Sequence, residues 1–493
     1  MTALVTEVGH HRVVYDLAVA VGGTLLIAVV LILVGRALQR RGASPLVVRK
    51  VPHALCGLFA AAAAFALSDK AVVAGVLAAA TATLAFLVER GLVPVPGVVD
   101  GHRGRDYGLV SFAGGALLAV LCFWPDRVAV AAGLTVLALA DAGAALVGDR
   151  VGRHRIAVGG AVRSIEGSVA FVVIAFVVSW EFCRLGLEVS SFMAAVVSLF
   201  VALSTATVEL LVPSAADNLL ITPWVALLVH VAGDLSTDGA LRWLAATVFG
   251  GAIVPFMLRM RWLDLPGALS GGLIAGVAVG LGGWGWIIPA AVFFALTSLL
   301  TAYRQPVRSA GLRNVGQVAV NAGLPVAIPV IGYAVSGDPV WYAVSIGGIA
   351  AGIADSWASE VGRFARGEPL SLRTRTRVPK GTSGAVSPLG SAATAVGALA
   401  VGGVGALFGG LVMVPVGLTA GVLGSLLDTA IGASVQSRSV CTRCAATVED
   451  RLHCGAPTRL SSGWHWMDND AVNACANLAG MVAGFAVFVV IGG

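Results

Sequence analysis

The sequence predicts an all-α, polytopic membrane protein of about 16 transmembrane helices, arranged as two fused helical-bundle halves. Hydrophobic residues make up 58% of the 493 residues, and charged residues make up 12%, roughly half their share in soluble domains. The mean hydropathy is +0.91, and the 63 glycines favour close packing between helices in a bilayer. This composition excludes a soluble enzyme, a disordered chain and a fibrous repeat.

Apolar stretches of roughly 16 to 22 residues recur along the chain and have the length of helices that cross a bilayer. The first is interpreted as a span because no convincing signal-peptide cleavage site follows it. The predicted spans lie near residues 13–35, 53–68, 71–88, 108–124, 128–148, 166–181, 190–209, 219–234, 241–258, 266–281, 284–302, 316–335, 340–361, 388–409, 411–431 and 470–491.

The segments between the spans alternate in charge. Every second segment is rich in arginine, whereas the intervening ones are short and nearly neutral, such as 68–69 and 336–339. Because positively charged loops tend to stay in the cytoplasm, the arginine-rich segments are predicted to be cytoplasmic and both termini to lie outside. The net charge of +6 therefore indicates membrane orientation, and no nucleic-acid partner is expected.

A similar pattern occurs once in each half of the chain. Asp141 and Gly148 precede an arginine-rich loop that leads to Ser164, and Asp355 and Gly362 precede one that leads to Thr382. The repeat predicts two domains, residues 1–237 and residues 238–493. A helix that begins with glycine and serine or threonine presents free N–H groups to an anion, and an acid one helix earlier can hold Mg²⁺ or accept a proton.

The pattern therefore indicates phosphate handling, with ordinary helix capping and membrane orientation as the alternative. The candidate phosphate-binding residues are Arg163, Ser164, Gly167 and Ser168 in the first half and Lys380, Gly381, Thr382, Ser383 and Gly384 in the second. No Walker P-loop occurs near them.

Further polar residues lie near the membrane edge on the same side. Glu209 ends one predicted span, Asp217 begins the next, Asp428 lies near the end of another, and Asp470 and Asn473 begin the last. Acids at this depth are costly and usually face a polar cavity; the alternative is that they pair with loop arginines or cap helices.

The segment 437–468 contains Cys441-x-x-Cys444 and the adjacent pair His453-Cys454. Three cysteines and a histidine could furnish tetrahedral Zn²⁺ ligands with a structural role. Because neighbouring residues seldom both bind one metal, a three-ligand or partial site is the expectation here.

Between residues 45 and 235 the chain resembles the polyprenol kinase family, which includes phytol kinase and dolichol kinase. The resemblance rests on motifs in the family's order: Arg49-Lys50-x-x-His53, Arg103-x-x-Asp106-Tyr107-Gly108, Asp141-Ala-x-Ala with Gly148, Ser164-x-Glu166-Gly167-Ser168, and Glu209 with Asp217-Asn218. The chain departs from this family in one loop, where Arg153, Arg155 and Arg163 stand where relatives tend to have lysine.

Residues 242–493 resemble the phytyl-phosphate kinase family, which shares its domain with transmembrane protein 19. The motifs are Arg313-Asn-x-x-Gln317-x-x-x-Asn321, Ala354-Asp355-Ser356-Trp357-Ala358-Ser359-Glu360-x-Gly362, Val378-Pro379-Lys380-Gly381-Thr382-Ser383-Gly384, Asp428 before Gly432-Ala433, the Cys/His residues, and Gly463-x-x-Trp466-x-Asp468-Asn469-Asp470-x-Val-Asn473.

The two resemblances imply a fusion of consecutive membrane kinases. The first half would phosphorylate an isoprenoid alcohol such as phytol or geranylgeraniol, and the second would convert the monophosphate to the diphosphate, with CTP as donor and Mg²⁺ as cofactor. The catalytic residues would then be Asp141, Asp355 and Glu360, and the Mg²⁺ ligands Asp149, Asp428 and Asp470. A membrane transporter and a CTP-dependent lipid cytidylyltransferase are the alternatives.

Overall fold

The computed structural model is nearly all α-helical, as the sequence predicts. It describes residues 2–92, 107–158, 161–213, 216–304, 312–380, 382–448 and 452–492. The chain forms two compact units, Met1–Thr247 and Val248–Gly493. The division falls ten residues after the predicted 237/238 boundary, inside the helix Thr237–Met260.

Each of the sixteen predicted apolar stretches lies in a helix. The helices are α1 (Thr2–Arg40), α2 (Pro45–Ala66), α3 (Lys70–Glu89), α4 (Gly108–Phe123), α5 (Arg127–Val151), α6 (Ile165–Gly186), α7 (Ser191–Leu211), α8 (Ala216–Ala232), α9 (Thr237–Met260), α10 (Leu265–Gly282), α11 (Trp284–Arg304), α12 (Val315–Ser336), α13 (Val340–Gly362), α14 (Pro388–Gly409), α15 (Met413–Ser434) and α16 (Asn469–Ile491).

Thirteen of these helices in the described residues are long and apolar enough to cross a membrane by length and composition. Two more, α4 and α8, are apolar but shorter. The helix α13 has 23 residues and carries Asp355 and Glu360 near its end. Helices suit a bilayer because they satisfy every backbone polar group within the segment.

Side-chain caps fix where several helices begin. Serine, aspartate or asparagine accepts a hydrogen bond from a backbone N–H of the first turn, which would otherwise lack a partner. These caps are Ser44, Asp69, Asp126, Ser164, Ser190, Asp264, Asn314, Ser387 and Asp468.

A buried helix lies at the centre of each unit. In the first unit α5 packs against α2, α6 and α8, and in the second α13 packs against α14, α15 and α16. The α13–α16 contact is close enough that a Cβ on Gly347 would lie 2.3 Å from the Gly480 carbonyl oxygen, which only glycine permits. Within α5, the segment Leu137–Asp141 is a π-helix, a distortion that often occurs at functional sites.

Short antiparallel strands connect some of the helices, and the sequence analysis did not predict them. The strands β1 (Arg155–Val158) and β2 (Ala161–Ser164) form a hairpin between α5 and α6, and β3 (Leu370–Ser371) pairs with β4 (Ala385–Val386) between α13 and α14. Between α15 and α16 lies a four-stranded sheet of order β6-β5-β8-β7. Its strands are β5 (Arg438–Cys441), β6 (Thr447–Val448), β7 (Leu452–His453) and β8 (Ala456–Ser462).

Candidate active sites

The repeated sequence pattern corresponds to a repeated local structure. In each unit the central helix leads through a β-hairpin to a serine that caps the next helix. Ser164 Oγ accepts a hydrogen bond from the Gly167 amide at 3.1 Å, and Ser387 Oγ accepts one from the Gly390 amide at 3.1 Å. In the structure Ser387 is thus the counterpart of Ser164. The pairing of Ser164 with Thr382, which the sequence pattern predicts, is wrong.

Glycine at the first turn lets the capped helix approach the central helix closely. A Cβ on Gly167 would lie 2.8 Å from the carbonyl oxygen of Ala144, and one on Gly390 would lie 3.0 Å from that of Ala358. Ala144 and Ala358 are each three residues after the acid of the central helix, Asp141 or Asp355. Asp141 and Asp355 therefore occupy equivalent positions relative to the serine cap and the first-turn glycine of the following helix.

The first acid cluster consists of the buried residues Asp141, Glu209 and Asp217, which are 6%, 5% and 6% exposed. Lys50 Nζ on α2 donates to both carboxylate oxygens of Asp141 at 2.7 and 2.6 Å. His53 Nε2, one turn along α2, lies 3.8 Å from Asp141 Oδ2. Asp141 thus forms an ion pair with Lys50, and His53 lies next to this pair.

Arg163 connects the β1–β2 hairpin to this cluster. Its guanidinium donates to Glu209, and its Nη2 lies 3.6 Å from Asp217 Oδ2. The predicted phosphate-binding arginine is therefore paired with acids, while Ser168 Oγ donates to the Ser164 carbonyl at 3.2 Å. Lys50 and His53 belong to the family motif, which is the available signal for them; the predicted span begins at residue 53, whereas the helix begins at Pro45 and carries both residues one turn apart.

The second acid cluster consists of Asp355 on α13 and Asp428 on α15, whose carboxyl groups are close enough to interact directly. Two carboxylates this close repel one another unless a proton or a cation lies between them. Asn477 on α16 is buried near the same face of α13, since its Oδ1 lies 3.0 Å from the Cβ position of Gly352, one turn before Asp355. That oxygen has no hydrogen-bond partner in the structure.

Carboxylate and amide oxygens are the ligands that Mg²⁺ prefers, so the second acid cluster and Asn477 Oδ1 fit that cation. Asp470, in the first turn of α16, packs against the start of α12. Its Oδ2 lies 3.1 Å from the place that a Cβ on Gly316 would occupy. Asp149 is exposed in the last turn of α5, eight residues or about 12 Å along the helix from Asp141, too far to join the first acid cluster.

A cavity of about 190 Å³ lies against the face of α13 formed by Ile349, Gly352 and Ser356. Its wall is mainly apolar and is formed by α9, α10, α11, α12 and α13, with Phe294 and Ile349 among the lining residues. The residues on either side of Asp355 in its helix turn, Gly352 and Ser356, also line it. Asp355 and Asp428 are not among the lining residues; the cavity borders the helix turn that carries Asp355, and its apolar wall is suited to an apolar chain.

Arg313 is the cationic residue of this cavity. Its Nη1 donates to Ser298 Oγ at 2.8 Å, and its guanidinium lies 4.9 Å from the centre of the Phe294 ring. Glu360 interacts with it electrostatically and accepts a hydrogen bond from Thr301 Oγ1 at 3.4 Å. Glu360 therefore contacts the residues around Arg313, whereas Asp355 contacts Asp428.

The predicted phosphate loop of the second unit lies after β3. Lys380 Nζ donates to the carbonyls of Arg363, at 3.2 Å, and Ala365, so it caps the end of α13. Thr382 Oγ1 donates to the Pro379 carbonyl at 2.7 Å. Ser383 accepts a hydrogen bond through its carbonyl from Arg438, and Gly384 has a φ of 76°. Gly381 lies outside the described residues, as do Arg103 and Asp106 of the first family motif.

The Cys/His residues lie together in the four-stranded sheet. One ligand atom from each of Cys441, Cys444, His453 and Cys454 lies within 4.8 Å of all the others. The pKa of Cys441 is lowered to about 6 because the backbone N–H groups of Cys444 and Arg443 point at its sulfur. The pKa of Cys454 is raised because its thiol donates to Cys444 Sγ.

Comparisons with known proteins agree with an integral membrane protein. Residues 248–481 match a family model described as "Integral membrane protein DUF92". Protein PGR of Arabidopsis thaliana is 26% identical over 276 residues, which is 48% of this chain and 93% of that protein. An uncharacterized membrane protein of Methanocaldococcus jannaschii is 26% identical over 215 residues, which is 42% of this chain and 89% of that protein.

No solved structure matches the chain. The family match covers the second acid cluster, the cavity and the Cys/His residues, so these features belong to the part that is similar to an integral membrane family. The family description and the names of these two relatives state no activity.

Proposed function

We propose that the protein is a membrane-bound lipid kinase that phosphorylates an isoprenoid alcohol to the monophosphate and the monophosphate to the diphosphate. CTP is the proposed donor. The observation that carries the proposal is the pair Asp355–Asp428 beside an apolar cavity that contains one arginine. An isoprenoid phosphate has a long apolar tail and an anionic head, and the cavity and Arg313 match these two parts.

The tail binds in the apolar part of the cavity and the phosphate lies near Arg313. A guanidinium has five N–H donors; Arg313 gives one to Ser298 and also interacts with Glu360, and a phosphate would be a further anionic partner of the same group. The head is then near Asp355, because Gly352 and Ser356 line the same cavity. Mg²⁺ held by Asp355 and Asp428 would neutralise charge on the transferred phosphoryl group.

The different partners of the two acid clusters match the two proposed steps. An alcohol must lose its proton as it attacks a phosphoryl group, so the first step needs a base; Lys50 bonds both oxygens of Asp141, and the base we propose is His53 beside that carboxylate. A phosphate monoester is already ionised near neutral pH, so the second step needs charge neutralisation instead. The first cluster pairs its acids with Lys50 and Arg163, whereas the second places two acids together.

The arginine-rich connections face the cytoplasm in this proposal, where a nucleotide is available. Labelling with a membrane-impermeant maleimide in intact cells tests the orientation with an Asp338→Cys variant, whose thiol we expect to react from outside. Protection of that thiol until the membrane is permeabilised would contradict it. Mass spectrometry assigns the label to residue 338 in the presence of the native cysteines.

A product assay tests the activity. Detergent-purified protein receives γ-labelled CTP, Mg²⁺ and either geranylgeraniol or geranylgeranyl phosphate, and the lipids are resolved by chromatography. We expect labelled monophosphate and diphosphate from the alcohol, and labelled diphosphate from the monophosphate. Release of pyrophosphate without γ-label in the lipid would indicate a cytidylyltransferase instead. No lipid product at all, with accumulation of a solute in vesicles, would indicate a transporter.

A further inference from the structure

The Cys/His residues are brought together by the four-stranded sheet, although they lie in two separate turns. Cys441 ends β5 and Cys444 lies in the turn that follows; His453 ends β7 and Cys454 begins the turn into β8. The strands β5 and β7 both pair antiparallel with β8, so they end at the same end of the sheet, and the turns that follow them lie side by side there.

The three distances among Cys444 Sγ, Cys454 Sγ and His453 Nδ1 match edges of a zinc coordination tetrahedron. Zn–S bonds of about 2.3 Å and a Zn–N bond of about 2.05 Å place two sulfurs about 3.8 Å apart and sulfur and nitrogen about 3.5 Å apart. The Sγ atoms of Cys444 and Cys454 are 3.8 Å apart, and each lies 3.4 or 3.3 Å from His453 Nδ1. Cys441 Sγ lies within 4.8 Å of the other ligand atoms.

The backbone explains how adjacent residues contribute to one site. Cys454 has a φ of 54° and Gly455 a φ of 69°, a tight turn that directs the side chains of His453 and Cys454 to the same point. The first turn is built similarly, with Ala445 at a φ of 57° immediately after Cys444. The expectation of a three-ligand or partial site is therefore revised, because all four side chains converge.

We propose that the protein binds one structural Zn²⁺ through the sulfurs of Cys441, Cys444 and Cys454 and through Nδ1 of His453. Four protein ligands leave no open position for water or substrate, which is the arrangement of structural sites rather than catalytic ones. Backbone N–H groups reinforce the thiolate ligands, since the Arg443 amide donates to Cys441 Sγ at 3.4 Å. This proposal is independent of the kinase proposal.

The zinc site stabilises a small sheet that contacts the candidate phosphate loop. Two of the four strands have only two residues, and a sheet of this size needs a metal or other cross-link in place of an apolar core. Arg438, at the start of β5, donates through Nη2 to the carbonyls of Ser383 and Gly432, both at 3.1 Å. Loss of zinc would therefore loosen the segment that holds Ser383 and Gly384.

Metal analysis of the purified full-length protein tests the proposal. We expect one zinc per chain, and we expect Cys444→Ser and His453→Ala each to lower that content to about a tenth or less, because a structural site tolerates loss of a ligand poorly. Cys122→Ser, which changes an exposed cysteine on α4 away from the cluster, is the matched control and should keep its zinc. Metal-free wild-type protein, or full zinc content in both ligand variants, would overturn the proposal.

A second measurement uses only the wild-type protein, so its result does not depend on whether the variants fold. Wild-type protein expressed with Co²⁺ in place of Zn²⁺ should show the thiolate-to-cobalt charge-transfer band and the visible spectrum of a tetrahedral site. Chelation should abolish both and should speed trypsin cleavage at Arg443 and Arg459. A wild-type protein without these bands, in which Cys444 and Cys454 form a disulfide, would rule out the zinc site.

Discussion

At the scale of single residues, the two units hold their buried acids in different ways. Asp141 has a lysine at hydrogen-bonding distance on both oxygens, while Asp355 has a second carboxyl beside it. A buried charge is tolerated only when it is paired or shares a proton or cation, so both arrangements constrain what each site can bind. Because the acids have different partners in the two units, a separate substitution tests each unit.

The first prediction concerns the Lys50–Asp141 pair. Lys50→Met leaves an uncompensated buried carboxylate and should lower the free energy of unfolding by about 3 to 5 kcal/mol. The double variant Lys50→Met/Asp141→Leu removes both charges and should recover most of that stability, but it should have no prenol kinase activity. Thermal unfolding in detergent and the lipid product assay measure the two properties. Recovery of activity in the double variant would show that the pair has only a structural role.

The second prediction concerns Arg313. Arg313→Ala removes a charged hydrogen-bond donor from the cavity and should reduce kcat/KM for the isoprenyl monophosphate by about 10- to 100-fold, mainly through a higher KM. Phosphorylation of the alcohol by the first unit should be unchanged. Arg366→Ala, at an exposed position, is the control. An unchanged KM in Arg313→Ala would contradict the placement of the phosphate.

Sequence reasoning at this scale located individual acids but not their partners. Asp141, Asp355 and Asp428 were recognised because acids are rare in apolar spans. Lys50 is 91 residues from Asp141, and nothing in either local segment predicts that they meet. A three-ligand or partial metal site was expected because His453 and Cys454 are adjacent, and the positive φ of Cys454 that lets both side chains reach the cluster cannot be read from the sequence.

At the scale of secondary-structure elements, each unit depends on a close contact between its central helix and the helix that follows. The serine cap and the glycine three residues later hold this contact at a separation that leaves no room for a Cβ on Gly167. The apolar runs located the helices, but not their bounds: α2 begins at Pro45, whereas the predicted span begins at residue 53. The strands, of two to seven residues, were not predicted, because most of these segments are too short to show a periodicity.

The third prediction concerns that helix contact. Gly167→Ala places a methyl group 2.8 Å from a backbone carbonyl oxygen, so the helices must separate, and we expect a loss of about 1 to 3 kcal/mol in stability. Gly75→Ala on α3 is the matched control: no atom lies within 4 Å of its Cβ position, and alanine favours the helix. Melting temperatures in one detergent compare the two. Equal stability of both variants would contradict the observed helix separation.

At the scale of the whole molecule, hydropathy alone was sufficient for the architecture. All sixteen apolar stretches lie in helices because the bilayer requires both the length and the internal hydrogen bonding of a helix. The cavity near Asp355 was not predictable, since its wall combines side chains from five successive helices, and hydropathy does not tell how those helices pack. The chemistry of the sites therefore depends on how the helices pack, which cannot be read from composition or hydropathy.

The central claim is that each unit performs one of two consecutive phosphorylations. Product analysis of Asp141→Asn and Asp355→Asn with geranylgeraniol and γ-labelled CTP tests it most directly, with Asp338→Asn, which keeps the capping function of the exposed Asp338, as the control. Asp355→Asn should accumulate the monophosphate, whereas Asp141→Asn should make no product from the alcohol but should still convert added monophosphate to the diphosphate. If both variants retain both steps, or if both lose both steps while remaining folded, the assignment of one step to each unit is contradicted.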